Sequence, residues 1–206
     1  MFSKESLDKL KQSVETRLSE KRYRHTLGVA DMAVRLGDFF MPDCKDELYA
    51  AALLHDIAKE LNKEELSLLL EGRSDYLSAD DLASPAVIHS LAGPLIIARD
   101  YSEFATDRIL RAVYNHTLGS EDMDIFSEII FISDFIEMGR TYKACIELRE
   151  FLLSGLSHTQ DLSINRERLR RAVFKSLDFT VRYITEREGF VHPKTVLARN
   201  AYRSLI

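Results

Sequence analysis

Two adjacent polar residues, His55 and Asp56, interrupt an apolar and helix-favouring stretch that runs from Ala50 to Lys59 (AAALLHDIAK). An unpaired charge is costly in such surroundings, so the pair needs either hydrogen-bond partners or a metal ion. Imidazole is the commonest metal ligand in proteins, and a bound cation would also hold the carboxylate ionised. On this stretch alone, both a structural His–Asp pair and a metal site remain open.

Three more histidines and a second aspartate occupy inward faces or ends of other predicted helices: His25, His89, His116 and Asp134. Imidazole nitrogen together with carboxylate oxygen suits a first-row divalent metal such as iron, manganese, cobalt or zinc. With His55 and Asp56 the set has more ligands than one ion usually takes from a protein, so two ions are expected. If Asp56 bridges them, the pair would hold a hydroxide as the nucleophile and clamp a phosphoryl oxygen.

Each of these residues also has an interpretation without a metal. His25 and His89 could be hydrogen-bonded core histidines, and His116 at a helix C-terminus would be favoured by the helix dipole. Asp134 could pair with a neighbouring arginine. The joint occurrence of all these residues on five successive predicted helices is what favours the metal site.

The elements that position these residues are predicted to be helices. Apolar residues recur every three or four positions along almost the whole chain, and only 8 Gly and 4 Pro interrupt them, so an all-α protein is expected. The predicted helices cover Lys4–Leu18, Lys21–Phe40, Asp46–Ala58, Lys63–Leu70 (with Asn62 as N-cap), Pro85–Arg99, Thr106–His116, Asp124–Met138, Tyr142–Leu153, Ser163–Glu186 and a short helix after Pro193. The polar stretch Glu71–Ser84 is predicted to be a surface loop, which could cover a site.

Composition and charge limit the number of domains, the class of ligand and the location that can be expected. The chain of 206 residues is 46% hydrophobic, and no repeat or linker divides it, so one domain over residues 1–206 is expected. A net charge of -5 argues against a nucleic-acid polymer as partner, while small anionic ligands stay open. No stretch is long and apolar enough for a membrane span or signal peptide, so a cytoplasmic location is expected. Cys44 and Cys145 have no disulfide or zinc-knuckle spacing.

The ordered pattern of His, His-Asp and Asp on successive helices resembles the HD-domain superfamily of metal-dependent phosphohydrolases. More narrowly, the chain resembles the YqeK-like HD-domain family of symmetrical bis(5'-nucleosyl)-tetraphosphatases, which split diadenosine tetraphosphate into two ADP. The matching segments are RYRHTLGVA (22–30), AALLHDIAK (51–59), IHSLAGPLIIA (88–98), AVYNHTLG (112–119), IIFISDFIEMGR (129–140), IELR (146–149) and VHPKTVLARN (191–200).

This resemblance implies a single-domain helical bundle with an HD core at about 18–140 and C-terminal helices 141–206 packed on it. It also implies one metal held by His25, His55, Asp56 and Asp134, and a second metal held by His89 and His116 with Asp56 shared. Iron is the metal that the family suggests first. His192 would be a family feature outside the metal set.

Three cations near these ligands are candidate phosphate contacts: Arg22, one turn before His25, Lys59, one turn beyond His55, and Arg140, just past the Asp134 helix. Lys59 and Arg140 are the stronger candidates and would stabilise developing charge in catalysis around Asp56. Surface salt bridges are the alternative for each cation. The basic run Arg166–Arg171 is interpreted as the solvated face of a long helix.

The chain departs from the family at Ser127-Glu128, where Asp-Lys is usual, and at Met138, where Pro is usual. A Lys-to-Glu reversal would disfavour a phosphate at that position and puts the substrate preference in doubt. The alternatives are therefore an HD-domain phosphohydrolase acting on another nucleotide or on a phosphomonoester, or a nucleotide-sensing protein with weak or no turnover. A helical interaction protein with satisfied core histidines is a further alternative, and a homodimer is left open.

Overall fold

The computed structural model describes residues 2–73 and 75–206, and the secondary structure in these ranges is helical, without strands. The prediction of an all-α protein is confirmed. The α-helices are α1 (Lys4–Arg17), α2 (Glu20–Phe40), α3 (Lys45–Leu54), α4 (Lys63–Leu69), α5 (Ala79–Ala83), α6 (Ile88–Asp100), α7 (Asp107–Asn115), α8 (Ile125–Ile136), α9 (Lys143–Leu153), α10 (Leu162–Thr185) and α11 (Pro193–Ser204). Short 3₁₀ turns lie at Pro42–Cys44, Pro85–Val87 and Ser102–Phe104.

Local side-chain caps explain where several helices begin. The predicted N-cap Asn62 accepts a hydrogen bond from the backbone N–H of Glu65, whose own carboxylate accepts from the Asn62 N–H, a capping box that satisfies two N–H groups. Thr106 and Asp124 cap α7 and α8 in the simpler way, through one side-chain oxygen. These caps hold the starts of the helices that carry His116 and Asp134.

A single large core organises the bundle around α2, α3 and α8. Helix α2 packs against α3 and α8, and α7 packs against α3, α6 and α8. The buried side chains of this core run from Leu10 near the N-terminus through Leu53 and Ile130 to Tyr202 near the C-terminus. Helices α9 and α10 pack on α8, and α11 packs on α10. The helices that carry the candidate ligands are therefore held together by shared apolar packing.

A second, small apolar cluster lies apart from this core. Its buried members are Val87, Leu91 and Leu118, with Tyr76, Leu77 and Tyr114 packed against them. Tyr76 also donates a hydrogen bond from its hydroxyl to the Leu91 carbonyl. The small apolar cluster thus attaches residues 75–84, the 75–84 segment, to α6.

The Glu71–Ser84 prediction was wrong in part, because the stretch contains helix α5; Ser74 lies outside the described residues. Ser78 accepts a hydrogen bond from the Asp81 N–H, and the Asp81 carboxylate accepts from the Ser78 N–H. This capping box forms a short helix from a sequence with weak periodicity. Asp81 is buried and lies 3.0 Å from Nε2 of His192, which joins the segment to the start of α11.

Helix α3 ends four residues before the predicted limit at Ala58, so His55 and Asp56 lie just beyond it. After Leu54 the backbone hydrogen bonds join residues three positions apart. The Ile57 N–H donates to the Leu54 carbonyl, and the Lys59 N–H donates to the Asp56 carbonyl. Hydrogen bonds of this spacing form 3₁₀-type turns, which are more tightly wound than an α-helix. The remaining predicted helix ends differ by three residues or fewer, and α8 ends at Ile136, two residues before predicted Met138, because Glu137 adopts an extended conformation.

The sequence analysis treated Glu128 as a charge that would repel a phosphate. In the structure this side chain contacts other residues of the bundle. It is buried, accepts a hydrogen bond from the Tyr202 hydroxyl at 2.7 Å and lies 2.8 Å from Nη1 of Arg166. The interpretation of Arg166–Arg171 as a solvated face was therefore wrong for Arg166, and also for Arg168, whose guanidinium donates to the Phe151 carbonyl. The reversed charge at Glu128 serves packing between α8, α10 and α11.

Among the described residues, none of the helices combines the length and the apolar character that a membrane crossing requires.

Candidate metal centre

The four predicted histidines and Asp56 converge at one place. Asp56 Oδ2 lies 3.9 Å from Nε2 of His25 and 3.4 Å from Nε2 of His55. Its other oxygen, Oδ1, lies 3.1 Å from Nε2 of His89 and 3.6 Å from Nε2 of His116. The two carboxylate oxygens thus face two different pairs of histidines, which is the arrangement that a bridging carboxylate needs.

Three of these imidazoles are oriented by the backbone in the same way. Nδ1 of His55, His89 and His116 lies 2.6, 2.9 and 2.6 Å from the carbonyl oxygen three residues earlier in the chain. A carbonyl accepts but cannot donate, so each Nδ1 is placed to donate to it, and Nε2 is the ring nitrogen that faces Asp56. In a neutral ring of this tautomer, Nε2 is the atom that would bind a metal.

Asp134 extends the centre on the side of His25. Its Oδ1 lies 3.0 Å from His25 Nε2, and His25, His55 and Asp134 can bring ligand atoms within 4.8 Å of one another. A second group of the same kind is formed by His55, Asp56 and His116.

The arrangement of these nitrogen and oxygen atoms agrees better with a metal site than with histidines that are fully hydrogen-bonded in a core. Nε2 of His55 is buried and has no hydrogen-bond partner among the described residues, although Asp56 Oδ2 lies 3.4 Å away. A buried polar atom without a partner costs about 1–3 kcal/mol, so its position between two carboxylate-bearing residues needs an explanation. Imidazole and carboxylate ligands are those of iron, manganese, cobalt and zinc sites.

The protonation states agree with this arrangement. Burial raises the pKa of Asp56, but the surrounding imidazoles of His55, His116 and His89 outweigh it and hold that pKa well below its usual range. Burial is the main cause that lowers the pKa of His89 to about 4, and the Lys59 ammonium adds to it. At neutral pH the centre therefore combines an ionised carboxylate with a neutral His89, as metal binding requires.

The three predicted cations all lie at this centre, and two of them are paired with its carboxylates. Arg22 Nη1 lies 2.7 Å from Asp56 Oδ2, and Arg140 Nη2 lies 2.5 Å from Asp134 Oδ1. Lys59 Nζ lies 3.1 Å from Nδ1 of His89, and burial is the main cause that lowers the pKa of this ammonium. Arg22 and Arg140 thus form ion pairs with candidate ligands, and the role of all three cations as phosphate contacts stays a prediction.

Glu137 is a residue of the centre that the sequence reasoning missed. Its Oε1 lies 3.2 Å from Nδ1 of His25, and its Oε2 accepts a hydrogen bond from the Gly139 N–H. A Cβ on Gly28 would lie 2.5 Å from that same Oε2, so the absence of a side chain at Gly28 makes room for the carboxylate. The signal in the sequence is an acidic residue three positions after Asp134, at the end of the same helix.

Arg149, from the IELR segment, holds the turn that carries Glu137 and Arg140. Its Nε donates to the Ile136 carbonyl at 2.6 Å, and its Nη2 donates to the carbonyls of Glu137 and Arg140 at 2.6 and 2.8 Å. A guanidinium presents its donors in a rigid fork, so these bonds fix the backbone between α8 and α9.

His192 lies outside both groups of candidate ligands. Its Nδ1 accepts a hydrogen bond from the Lys194 N–H, and its Nε2 lies 3.0 Å from Asp81 Oδ1. This partner assigns it to the junction between α11 and the 75–84 segment.

Comparison with known proteins places the chain in a family. The HD domain family model matches residues 22–139, which include all the candidate ligands. The chain is 27% identical to the "Bis(5'-nucleosyl)-tetraphosphatase, symmetrical" of Staphylococcus aureus, over 96% of this chain and 94% of that protein. It is 29% identical to the protein of the same name from Bacillus subtilis, over 91% of this chain and 92% of that one.

A solved structure agrees along the whole length. The crystal structure of a "predicted HD superfamily hydrolase involved in NAD metabolism" from Clostridium acetobutylicum has a TM-score of 0.81 to this chain and 31% sequence identity, and the match covers 100% of both chains. The resemblance predicted from the sequence is confirmed by these matches. The family model spans more than half of the chain, residues 22–139, and the chain therefore belongs to the HD-domain family.

Proposed function

We propose that this HD-domain protein is a metal-dependent symmetrical bis(5'-nucleosyl)-tetraphosphatase, which hydrolyses diadenosine tetraphosphate to two molecules of ADP. The observation that carries the proposal is the position of Asp56, with one oxygen towards His25 and His55 and the other towards His89 and His116. The names of the relatives that match over nearly the full length supply the substrate.

The candidate ligands would hold two divalent ions, one by His25, His55, Asp56 and Asp134, and one by His89, His116 and Asp56. When bound, such ions supply an activated water for attack on phosphorus and neutralise charge on a phosphoryl oxygen. Iron is our first candidate, with manganese, cobalt or zinc as alternatives.

The cations of the centre would position the polyphosphate. Lys59 and Arg140 contact the phosphate oxygens on which charge develops, and Arg22 binds a neighbouring phosphate. Arg22 and Arg140 each exchange a carboxylate partner for a phosphate, two acceptors that suit the same guanidinium fork. Asp56 would stay ionised throughout and would serve as a ligand to both ions.

The proposal is tested by the products. The purified, metal-loaded protein is incubated with diadenosine tetraphosphate, and the nucleotides are separated by anion-exchange chromatography. We expect ADP alone; AMP together with ATP, or no turnover by a protein that holds metal, would overturn symmetrical hydrolysis. A parallel panel of another nucleoside polyphosphate, NAD and a phosphomonoester ranks the substrates and separates this activity from that of a more general phosphohydrolase.

Metal analysis provides the second arm of the test. Asp56→Ala should lose metal from both positions, whereas Asp31→Ala, which removes an exposed carboxylate of α2, should keep it. Equal and near-zero metal in the wild type and in both variants would contradict the metal centre. A nucleotide-sensing protein, the alternative suggested by the departure at Ser127-Glu128, would bind ADP tightly and release no product.

The other predictions from the sequence concern the surroundings of the protein. A cytoplasmic location and a small nucleotide in place of a nucleic-acid polymer as partner stay predictions, and the question of a homodimer stays open.

A further inference from the structure

A cavity of about 220 Å³ adjoins the metal centre and shares two residues with it, Asp134 and Arg140. Its remaining walls are apolar or aromatic, formed by Phe135, Tyr142, Cys145, Phe179 and Tyr183. We call it the aromatic cavity. Burial raises the pKa of the Cys145 thiol, so that side chain adds no charge to the wall at neutral pH.

The aromatic rings of this cavity are unusually accessible. Tyr142 is 70% exposed, Tyr183 is 43% exposed and Phe179 is 36% exposed. Large aromatic side chains are normally buried, and an exposed cluster of them marks a binding surface.

The rings on α10 are arranged to receive a flat ligand. Phe179 packs edge-on against Phe135, with ring centroids 5.7 Å apart and planes at 78°, which fixes its orientation. Tyr183, one turn further along α10, lies 5.8 Å from Phe179 with the two planes only 31° apart. These two rings form a shallow aromatic wall that can stack on a planar heterocycle.

We propose that the aromatic cavity binds one purine base of the nucleotide whose phosphates reach the metal centre. Arg140 lies at the junction of the two, where the first phosphates of a nucleotide bound in this way would be placed. The proposal rests on the proposed function and assigns the site of the base, which neither the family match nor the names of the relatives specify.

The size of the cavity argues for one base. Pockets for drug-sized ligands hold about 300–1,000 Å³, so a cavity of about 220 Å³ suits a single heterocyclic base and not a whole dinucleotide. Stacking on an aromatic side chain contributes about 1–3 kcal/mol per base and needs no particular hydrogen bonds.

Calorimetric titration of the metal-loaded protein with ADP and with inorganic pyrophosphate tests the assignment. Phe179→Ala and Tyr183→Ala should each weaken ADP binding roughly 5- to 160-fold and leave pyrophosphate binding unchanged. Tyr183→Phe keeps the ring and should bind ADP like the wild type. Leu162→Ala is the matched control, because Leu162 is an exposed apolar residue on the same helix and does not line the cavity.

Unchanged ADP affinity in both alanine variants would overturn the proposal, as would an equal loss for ADP and pyrophosphate. It would also be overturned if the wild type failed to bind ADP, or if the alanine variants changed the oligomeric state in sedimentation, which would indicate a contact between copies. AMP and ATP as products of the dinucleotide would overturn only the symmetrical cleavage, so the two failures are distinguishable.

Discussion

Replacing Gly28 by alanine should separate the stability of the protein from its affinity for metal. Gly28 lies on α2 opposite Glu137, and an added Cβ would lie 2.5 Å from Glu137 Oε2 and 3.2 Å from its Cδ. Carbon and oxygen do not approach so closely, and the flexible end of the glutamate moves more easily than the helix. The carboxylate therefore leaves its position 3.2 Å from Nδ1 of His25.

Two effects of opposite sign follow from Gly28→Ala. Alanine is preferred over glycine inside a helix by about 1 kcal/mol, so the free energy of unfolding of the metal-free protein should stay within about 1 kcal/mol of the wild type. Loss of the carboxylate that orients a histidine ligand typically costs about 10- to 100-fold in metal affinity. Metal affinity should fall by that factor, while the fold is retained.

Chelator competition measures the metal affinity, and urea denaturation in excess chelator measures the stability. The matched control is Gly37→Ala, on the same helix, whose Cβ would meet Leu48 and Lys45 in place of a carboxylate. Glu137→Gln, which keeps the shape of the side chain but removes its charge, should weaken metal binding in the same direction. An unchanged metal affinity in Gly28→Ala, or an equal loss in Gly37→Ala, would refute the reasoning.

Three further predictions concern the supports of the site. Arg149→Met removes the donors to three backbone carbonyls and should lower the free energy of unfolding by about 2–4 kcal/mol in urea denaturation. Glu128→Lys places a second cation at a buried position beside half-buried Arg166 and should cost about 3–5 kcal/mol by the same measurement. Burial raises the pKa of Asp81, but hydrogen bonds from the Ser78 hydroxyl and N–H lower it below its usual value. Its carboxylate therefore stabilises the fold fully above about pH 4, and this contribution is lost as the pH falls through the folded-state pKa. Asp81→Asn should accordingly be less stable by about 1 kcal/mol at neutral pH and lose this deficit in acid, as shown by urea denaturation over a pH series.

Each of these predictions has an outcome that contradicts it. Wild-type stability of Arg149→Met would mean that water replaces the guanidinium at no cost. A stable Glu128→Lys would show that Arg166 can turn out to solvent. A deficit of Asp81→Asn that persists in acid would assign the effect to packing and not to charge.

The helices and the convergence of the candidate ligands could both be predicted from the pattern of apolar residues. Apolar residues at three- and four-residue spacing determine which face of a helix is buried, and this placed His25 and Asp134 on inward faces correctly. The polar interruption at His55 and Asp56 was informative because it is costly in an apolar stretch. The apolar periodicity and the free-energy cost of a buried polar pair both depend on residues close together in the chain. They can therefore be recognised from a single sequence.

Other features depend on contacts between distant elements and were not predictable in this way. The end of α8 before Glu137 depends on Arg149, which binds the carbonyls of the following turn from α9. The burial of Glu128 depends on Arg166 and Tyr202, which lie in helices much later in the chain. In both cases the residues around the partner in the sequence give no sign that its side chain reaches a distant helix.

The small apolar cluster has a consequence for how this protein can change in evolution. Two of its buried members, Leu91 and Leu118, lie two positions after His89 and His116 in the sequence. The cluster is separate from the main core, so substitutions of Tyr76 and Leu77, which pack on it, should mainly affect the local stability of this region. Changes at these two residues could therefore alter the surroundings of two histidines without disturbing the apolar packing of the bundle that holds them.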